Sequence, residues 1–329
     1  RINMNIDMIE AARKRLKGYS RVTPLLSSPF IDELAGRRVF VKAETLQHTG
    51  SFKFRGAWSA VSAMTEEKRK NGVLAFSSGN HAQGVALAAK NHGISALIIM
   101  PTDAPKMKID NTRALGAEIV LYDRINESRE EIGEKISKDR GLRLIKPYDE
   151  PEVIAGQGTV GLEIIEQAKE LDVDAKNLLV CCGGGGLTSG VAIGIAHYAP
   201  NISVRPVEPV GYDDVTKSLA SGKIIKNKDG SGSICDAIVT PQPGDLTFPI
   251  MQKYCSSGLV VSDEDCLKTM AIAYSRLKIV LEPGGAVALA SAIFKKKEVD
   301  GDDVIVIASG GNVDEGLFRS ALEKYGNSF

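Results

Sequence analysis

The stretch LLVCCGGGGLTSGVAIGIAHYA, from Leu178 to Ala199, decides how this chain is read. Its opening is a short apolar run and its close is apolar at helical spacing, so it reads as a strand handed to a helix through four glycines. The same plan recurs where GVLAF, Gly72 to Phe76, runs into SSGNHAQGVALAAKNHG, and where VIVIA, Val304 to Ala308, runs into SGGNVDEGLFRSALEKYG. Repeated strand, loop and helix units predict parallel sheets covered by helices, an α/β fold. Further strands are expected at Arg38 to Lys42, Ala96 to Met100, Glu118 to Tyr122 and Val204 to Val207, with amphipathic helices at Asn126 to Asp139 and Val160 to Leu171.

The loop itself carries chemistry. Backbone amides of Gly183, Gly184, Gly185 and Gly186 can point at an anion with a helix N-terminus behind them, which makes a phosphate cradle. No Gly-Lys-Ser/Thr follows, so it is not a Walker A loop, and Thr188 or Ser189 stands where a dinucleotide fingerprint needs its last glycine. The bland alternative is a tight turn. Ser309-Gly310-Gly311-Asn312 also ends a strand, where open α/β sheets collect ligands. Ser77-Ser78-Gly79-Asn80-His81 has the same placement and reads either as a carboxylate site or as a helix cap.

A lysine sits among aromatic rings in TGSFKFRG, Thr49 to Gly56. Such a lysine is usually a snorkelling surface residue. Withheld from water, however, Lys53 has a lowered pKa and becomes a nucleophile for carbonyls. One phosphate cradle, no nucleotide fingerprint and a shielded lysine fit a phosphorylated aldehyde, of which pyridoxal phosphate is the common one.

The bulk properties bound the rest. A chain of 329 residues, 43% of them hydrophobic, has material for about two domains and a sizeable core. Acidic and basic residues balance at 41 each, so no global field recruits nucleic acid or an anionic membrane. The five cysteines form no CxxC pair and read as reduced thiols. No apolar run approaches the roughly 18 residues of a membrane span, and the first residues lack a signal-like apolar core. A soluble, cytoplasmic protein is expected.

TGSFKFRGA, SSGNHAQG, YDEPEVIAGQGTVGLEI, CGGGGL, VEPVGYDD and SGGNVD occur in the order found in the fold-type II pyridoxal phosphate enzymes. The chain resembles the serine racemase and serine/threonine dehydratase group of that family from about Ala11 onward. The resemblance implies a tryptophan synthase β-like fold: two doubly wound α/β domains with the cofactor between them. The large domain would span 1–71 and 150–329, and a small mobile domain 72–149.

It also implies residue roles. Lys53 would carry pyridoxal 5'-phosphate and act as base on one face, with Phe52 against the pyridine ring. Gly183 to Gly186 and Leu187 would bind the phosphate, Asn80 the ring hydroxyl, and Ser309 with Gly310 the pyridine nitrogen. Because a neutral hydroxyl does not hold that nitrogen protonated, the ring is a weaker electron sink, which suits loss of a β-leaving group. Ser77, Ser78, Asn80, His81 and Arg129 would meet the substrate. A serine at position 78 is the mark of racemases and 3-hydroxyaspartate dehydratases, its hydroxyl serving the face opposite Lys53; merely bonding the substrate carboxylate is the alternative. Arg129 would favour a second carboxylate if it enters the pocket, or else belong to a solvated helix face. Glu208, Tyr212 and Asp214 match a divalent cation site, with hard oxygen ligands suited to Mg²⁺ or Ca²⁺.

The expected activity is dehydration and deamination of L-serine, L-threonine or a close β-hydroxy amino acid to a 2-oxo acid and ammonia by a homodimer. Serine racemisation and 3-hydroxyaspartate dehydration are the alternatives on the same residues. A cofactor carrier or nucleotide-binding module without chemistry is the competing class.

Overall fold

The computed structural model describes residues 3–77, 79–228 and 232–329. Among these residues ten strands form two sheets: β1 (Leu25–Leu26), β2 (Arg38–Ala43), β3 (Val73–Phe76), β4 (Ala96–Pro101), β5 (Glu118–Tyr122), β6 (Arg143–Leu144), β7 (Ala175–Cys181), β8 (Ser203–Pro209), β9 (Leu259–Val261) and β10 (Asp303–Ala308). The larger sheet has the order β1-β2-β10-β7-β8-β9 and the smaller β5-β4-β3-β6. All pairs are parallel except β1 with β2.

The unbroken β-branched runs follow from this arrangement. Helices cover both faces of a parallel sheet, so no residue of β4 or β10 faces water and the strands lose the alternation of a half-exposed sheet. Val39, Val41, Leu178, Val180, Ile305 and Ile307 make the centre of the larger core. Leu74, Leu97 and Ile99 fill one side of the smaller sheet. Its other side is shared: Phe54, Ala57 and Trp58 from the helix Lys53–Ala63 pack with Val85 and Ala89 of the helix Asn80–Asn91. The two lobes therefore meet through an apolar contact and not through a clean gap.

Two helices differ from the sequence reading. The expected Asn126 to Asp139 helix begins at Arg129, because Ser128 caps it by accepting from the Glu131 amide at 3.2 Å. The Val160 to Leu171 helix begins at Pro151 and runs to Glu170. Gly158 and Gly161 are buried where this helix packs on the helix Gly186–Tyr198, and Gly156 where it packs on the helix Lys53–Ala63. Tertiary packing outweighs their propensity cost of about 1 kcal/mol each.

Among the described residues, no helix is long and apolar enough to cross a membrane.

Candidate active site

The strand order brings the chemistry to one place. Strands β2, β10 and β7 are parallel neighbours, so the segments leaving them emerge together at their carboxyl ends. They are the turn before Lys53, the Ser309 loop and the glycine loop. The carboxyl end of β3 delivers Ser77, Gly79 and Asn80 from the smaller sheet, and a cavity of ≈ 360 Å³ lies between. Backbone bonds tie two of the loops: Phe52 donates to the Ser309 carbonyl at 3.1 Å and Gly311 to the Gly50 carbonyl at 2.9 Å.

Lys53 opens its helix and projects into this cavity, where Nζ donates to the Pro147 carbonyl at 3.0 Å and lies 5.3 Å from the Phe52 ring centre. Part of its surface borders the cavity, but the walls withhold bulk solvent from the ammonium. That burial, against the opposing pull of Cys181 and Glu282, lowers its pKa to about 8. Gly84, the last glycine of SSGNHAQG, explains the close approach of the facing helix. A Cβ there would lie 3.1 Å from the Lys53 carbonyl carbon.

Opposite Lys53, Gly185 adopts φ 99°, open only to glycine without strain, and turns the chain into the helix Gly186–Tyr198. The Gly184 carbonyl accepts from Thr247 and from the Gly244 amide. The amides of Gly183 to Gly186 donate to no protein acceptor among the described residues. Several unspent donors at the start of a long helix are what a phosphate dianion requires. Leu187 follows them, buried.

Asn80, Ser309, Ser77, His81 and Arg129 line the same cavity. Asn80 is held at both ends: its Nδ2 donates to Glu282 Oε1 at 2.7 Å and its Oδ1 accepts from Asn312 Nδ2 at 2.7 Å. Ser309 is buried and lines the cavity with Cys181, whose thiol pKa burial pushes up to about 11. Ser77 Oγ accepts from the Gly79 amide at 3.0 Å. His81 bonds the Ile145 carbonyl through Nε2 at 2.8 Å, and burial with Lys53 nearby lowers it to about 3. It is therefore a neutral ring whose Nε2 proton is spoken for, and it offers no cation to a substrate. Arg129 lines the cavity over the Phe76 ring but is half exposed and bonded to Glu130. Ser78 lies outside the described residues.

Three residues were missed by sequence reasoning. Glu282 is buried beside Asn80 and Gly310, and desolvation raises it from 4.5 to about 7. Its signal was available, since it is the lone acid between Leu281 and the apolar PGGAVALASA run. Tyr148 lays its ring over Gly184, and Asn312 bridges Asn80 to the Thr49 carbonyl. Both fall in stretches quoted above, but the partners they reach lie on distant loops, which no local pattern announces.

Glu282 has a measurable consequence. From about pH 4.5 to about pH 7 the unfolded chain releases this proton while the folded chain keeps it, so stability of the cofactor-stripped protein falls as pH rises through that window. Glu282→Gln is expected to remove this share of the slope. Urea midpoints at the two ends of the window, compared between the two proteins, check it.

A family model for "Pyridoxal-phosphate dependent enzyme" matches residues 16–310. The chain belongs to this family. As a pyridoxal-phosphate dependent enzyme it is similar to an L-threo-3-hydroxyaspartate ammonia-lyase of a Pseudomonas species, 43% identical across 96% of this chain and 98% of the relative. It is equally similar to a serine racemase of Schizosaccharomyces pombe, 43% identical over 94% of each. The solved T.th. threonine deaminase superposes with a TM-score of 0.89 at 40% identity, covering 94% of this chain and 99% of that one. The free amide cradle and the low-pKa amine of Lys53 on facing walls are suited to hold the family's cofactor by its phosphate and its aldehyde carbon.

The candidate metal residues lie away from this cavity. Glu208 accepts from the Val215 and Thr216 amides at 2.9 and 2.7 Å and from the Thr216 hydroxyl at 2.7 Å. Asp214 accepts from Asn227 through Oδ1 at 2.9 Å, while its buried Oδ2 has no partner among the described residues. Burial raises both carboxyls, with the charge of Asp214 adding to the rise at Glu208 and that of Asp213 to the rise at Asp214. Tyr212 accepts the Gly232 amide through its hydroxyl. Among the described residues, no group of three or more His, Cys, Asp or Glu side chains is arranged to hold a metal.

Proposed function

We propose that this enzyme removes water from a small β-hydroxy amino acid, releasing a 2-oxo acid and ammonia. The observation that carries the reading is the Lys53 amine, poised near neutral pKa, across one cavity from the unspent amides of Gly183 to Gly186. Bound pyridoxal phosphate supplies the electron sink that acidifies the substrate α-carbon. The protein does the rest. Lys53 would hold the cofactor and serve as the base for the α-proton; the glycine amides would hold its phosphate; Asn80, clamped by Glu282 and Asn312, would bond its ring hydroxyl; Ser309 would partner its ring nitrogen, and Phe52 would pack against the ring. Ser309 offers that nitrogen no anion, which suits prompt loss of the β-hydroxyl over a long-lived carbanion. Ser77, Ser78 and Gly79 complete the carboxylate site.

In this reading 1–71 and 150–329 form the large domain and 72–149 a small one, which closes by sliding across the Phe54 and Trp58 contact. Glu208, Asp214 and the Tyr212 carbonyl take a Mg²⁺ or Ca²⁺ ion. The orphaned Asp214 oxygen beside a second buried carboxylate supports this, since a divalent cation would relieve both. A homodimeric state and a cytoplasmic location are carried over from the resemblance.

The test is a panel. Purified protein with pyridoxal phosphate is given L-serine, L-threonine and L-threo-3-hydroxyaspartate, and 2-oxo acid, ammonia and D-enantiomer are measured. Oxo acid from at least one substrate is expected, and none from any would reject the proposal. Racemisation is a second reading, favoured by the hydroxyl at position 78. It requires D-serine from the wild type and none from Ser78→Ala.

A further inference from the structure

The rim of the active-site cavity holds an ion pair that spans the two lobes. Lys108 stands on the helix Lys106–Ala114, packed beside the smaller sheet, and Asp236 on the short turn Asp236–Ile238 of the larger lobe. Both line the cavity. Their charged atoms are 3.6 Å apart, too far for a hydrogen bond, whereas the boundary pair Arg143 and Glu150 closes to 2.6 Å. The two ends differ in solvent access. The Lys108 side chain is 24% exposed and Asp236 68%. The ammonium is thus sheltered within the cavity wall and loosely answered by a carboxylate that stands in water.

A loose pair of this kind can be exchanged for a better one. The neighbouring acid on the same helix, Asp110, is bonded to Lys106. Inside the cavity, Glu282 feels Lys108 and Asp236 with opposite signs, which places the pair within reach of the Asn80 end of the site. Another cation on the rim, Arg129, is engaged with Glu130 and stacked on Phe76.

We propose that Lys108 receives a second carboxylate, carried on the substrate side chain, and that Asp236 is the internal carboxylate this group displaces. This rests on the reading of the site as acting on β-hydroxy amino acids and names the class it prefers: β-hydroxy amino dicarboxylates. The ion pair also explains how a cavity that admits serine would favour an acid. A neutral side chain leaves the Lys108 and Asp236 contact in place, while a carboxylate replaces a 3.6 Å contact with a hydrogen-bonded one. Lys108 is a specificity residue and touches no reacting atom.

The holoenzyme is assayed with L-threo-3-hydroxyaspartate and L-serine. Lys108→Met is expected to raise KM for the dicarboxylate about 10-fold or more with kcat nearly unchanged, and to move KM for serine by less than about 3-fold. Lys108→Arg should restore most of the loss, and Asp236→Asn should lower KM for the dicarboxylate alone. Equal losses for both substrates would mean a structural role and overturn the proposal, as would a selective loss in Arg129→Met that is absent from Lys108→Met. If neither substrate turns over, the functional reading fails by itself. Lys108 is then judged by binding of L-aspartate against L-alanine, followed through the cofactor's absorbance. A Lys108→Met change confined to aspartate sustains the proposal, and its absence ends it.

Discussion

Lys53→Ala is expected to abolish turnover, by at least about 10³-fold, and to leave a chain to which borohydride cannot fix pyridoxal phosphate. Two functions are lost at once, the attachment of the cofactor and the base that takes the α-proton. Mass spectrometry after borohydride treatment separates loss of attachment from simple loss of activity. The fold should survive, because among the described residues the Lys53 amine bonds only the Pro147 carbonyl, and its removal uncovers no charged partner. The pH dependence is a sharper test. Only the neutral amine attacks a carbonyl, so the rate of cofactor capture should rise with pH and level off above about 8, the value to which burial lowers Lys53. A rate still climbing toward the ordinary value of 10.5 would show that the ammonium is not desolvated as the cavity walls require. A variant that kept its activity would remove Lys53 from the reaction altogether.

Arg55→Met should cost about 3–5 kcal/mol of stability, the largest effect foreseen for any residue outside the cavity. Arg55 is fully buried, two positions after Lys53, and its guanidinium spans two carboxylates. Nε and Nη2 donate to Glu44 at 2.6 and 2.9 Å, and Nη1 and Nη2 to Glu163 at 2.6 and 2.9 Å. Lys42, also fully buried, donates to Glu163 at 2.8 Å and to the Thr23 carbonyl at 2.7 Å. Burial opposes the Arg55 charge, yet Glu44 and Glu163 hold its pKa above the ordinary value.

Two cations and two anions sum to zero, and removing Arg55 leaves two buried carboxylates facing only Lys42. The denaturation midpoint should fall by about 10 °C on the scale for a chain of this size. Because the helix Lys53–Ala63 hangs from this network, cofactor content should fall with it. Acid supplies an independent reading. Despite its burial, Glu163 is held below its usual 4.5 by Arg55 and Lys42. The stability it contributes is present above about pH 4.5 and is lost as pH falls through its lowered value. Arg55→Met should have lost most of that contribution already, so its unfolding should depend less on pH in the acid range. A variant as stable as the wild type would show that Arg55 is replaceable by apolar packing, the outcome known for some buried ion networks.

Much of this was written in short runs of sequence. Strands β3, β7 and β10 lie where apolar runs meet glycine or serine, and Lys53, proposed to carry the cofactor, was singled out by its aromatic neighbours together with one glycine loop. These signals are local. Strand, turn and helix N-terminus each depend on residues within a few positions, so a linear pattern can carry them. Arg55 is different, since in FKFRG it looks like any helix arginine, and nothing nearby says that Glu44 and Glu163 will close around it. Asn80 was legible as a residue of the site, but not that Glu282 and Asn312 would grip it from more than two hundred residues away. His81 was read as a substrate ligand and became a neutral ring bonded to Ile145, because burial, which no motif encodes, sets its charge.

By itself, then, the sequence determined the α/β class, and it singled out the glycine loop and Lys53 as the proposed phosphate cradle and cofactor lysine, all of them read from short-range periodicity and turn chemistry. Only the tertiary structure decided which charges are buried, what they face and therefore which of them titrate near neutrality. Those properties depend on solvent exclusion by segments far apart in the chain. The Lys53 amine near 8, the Glu282 carboxyl near 7 and the loose Lys108 and Asp236 contact exist only once the carboxyl ends of two sheets have been brought around one cavity.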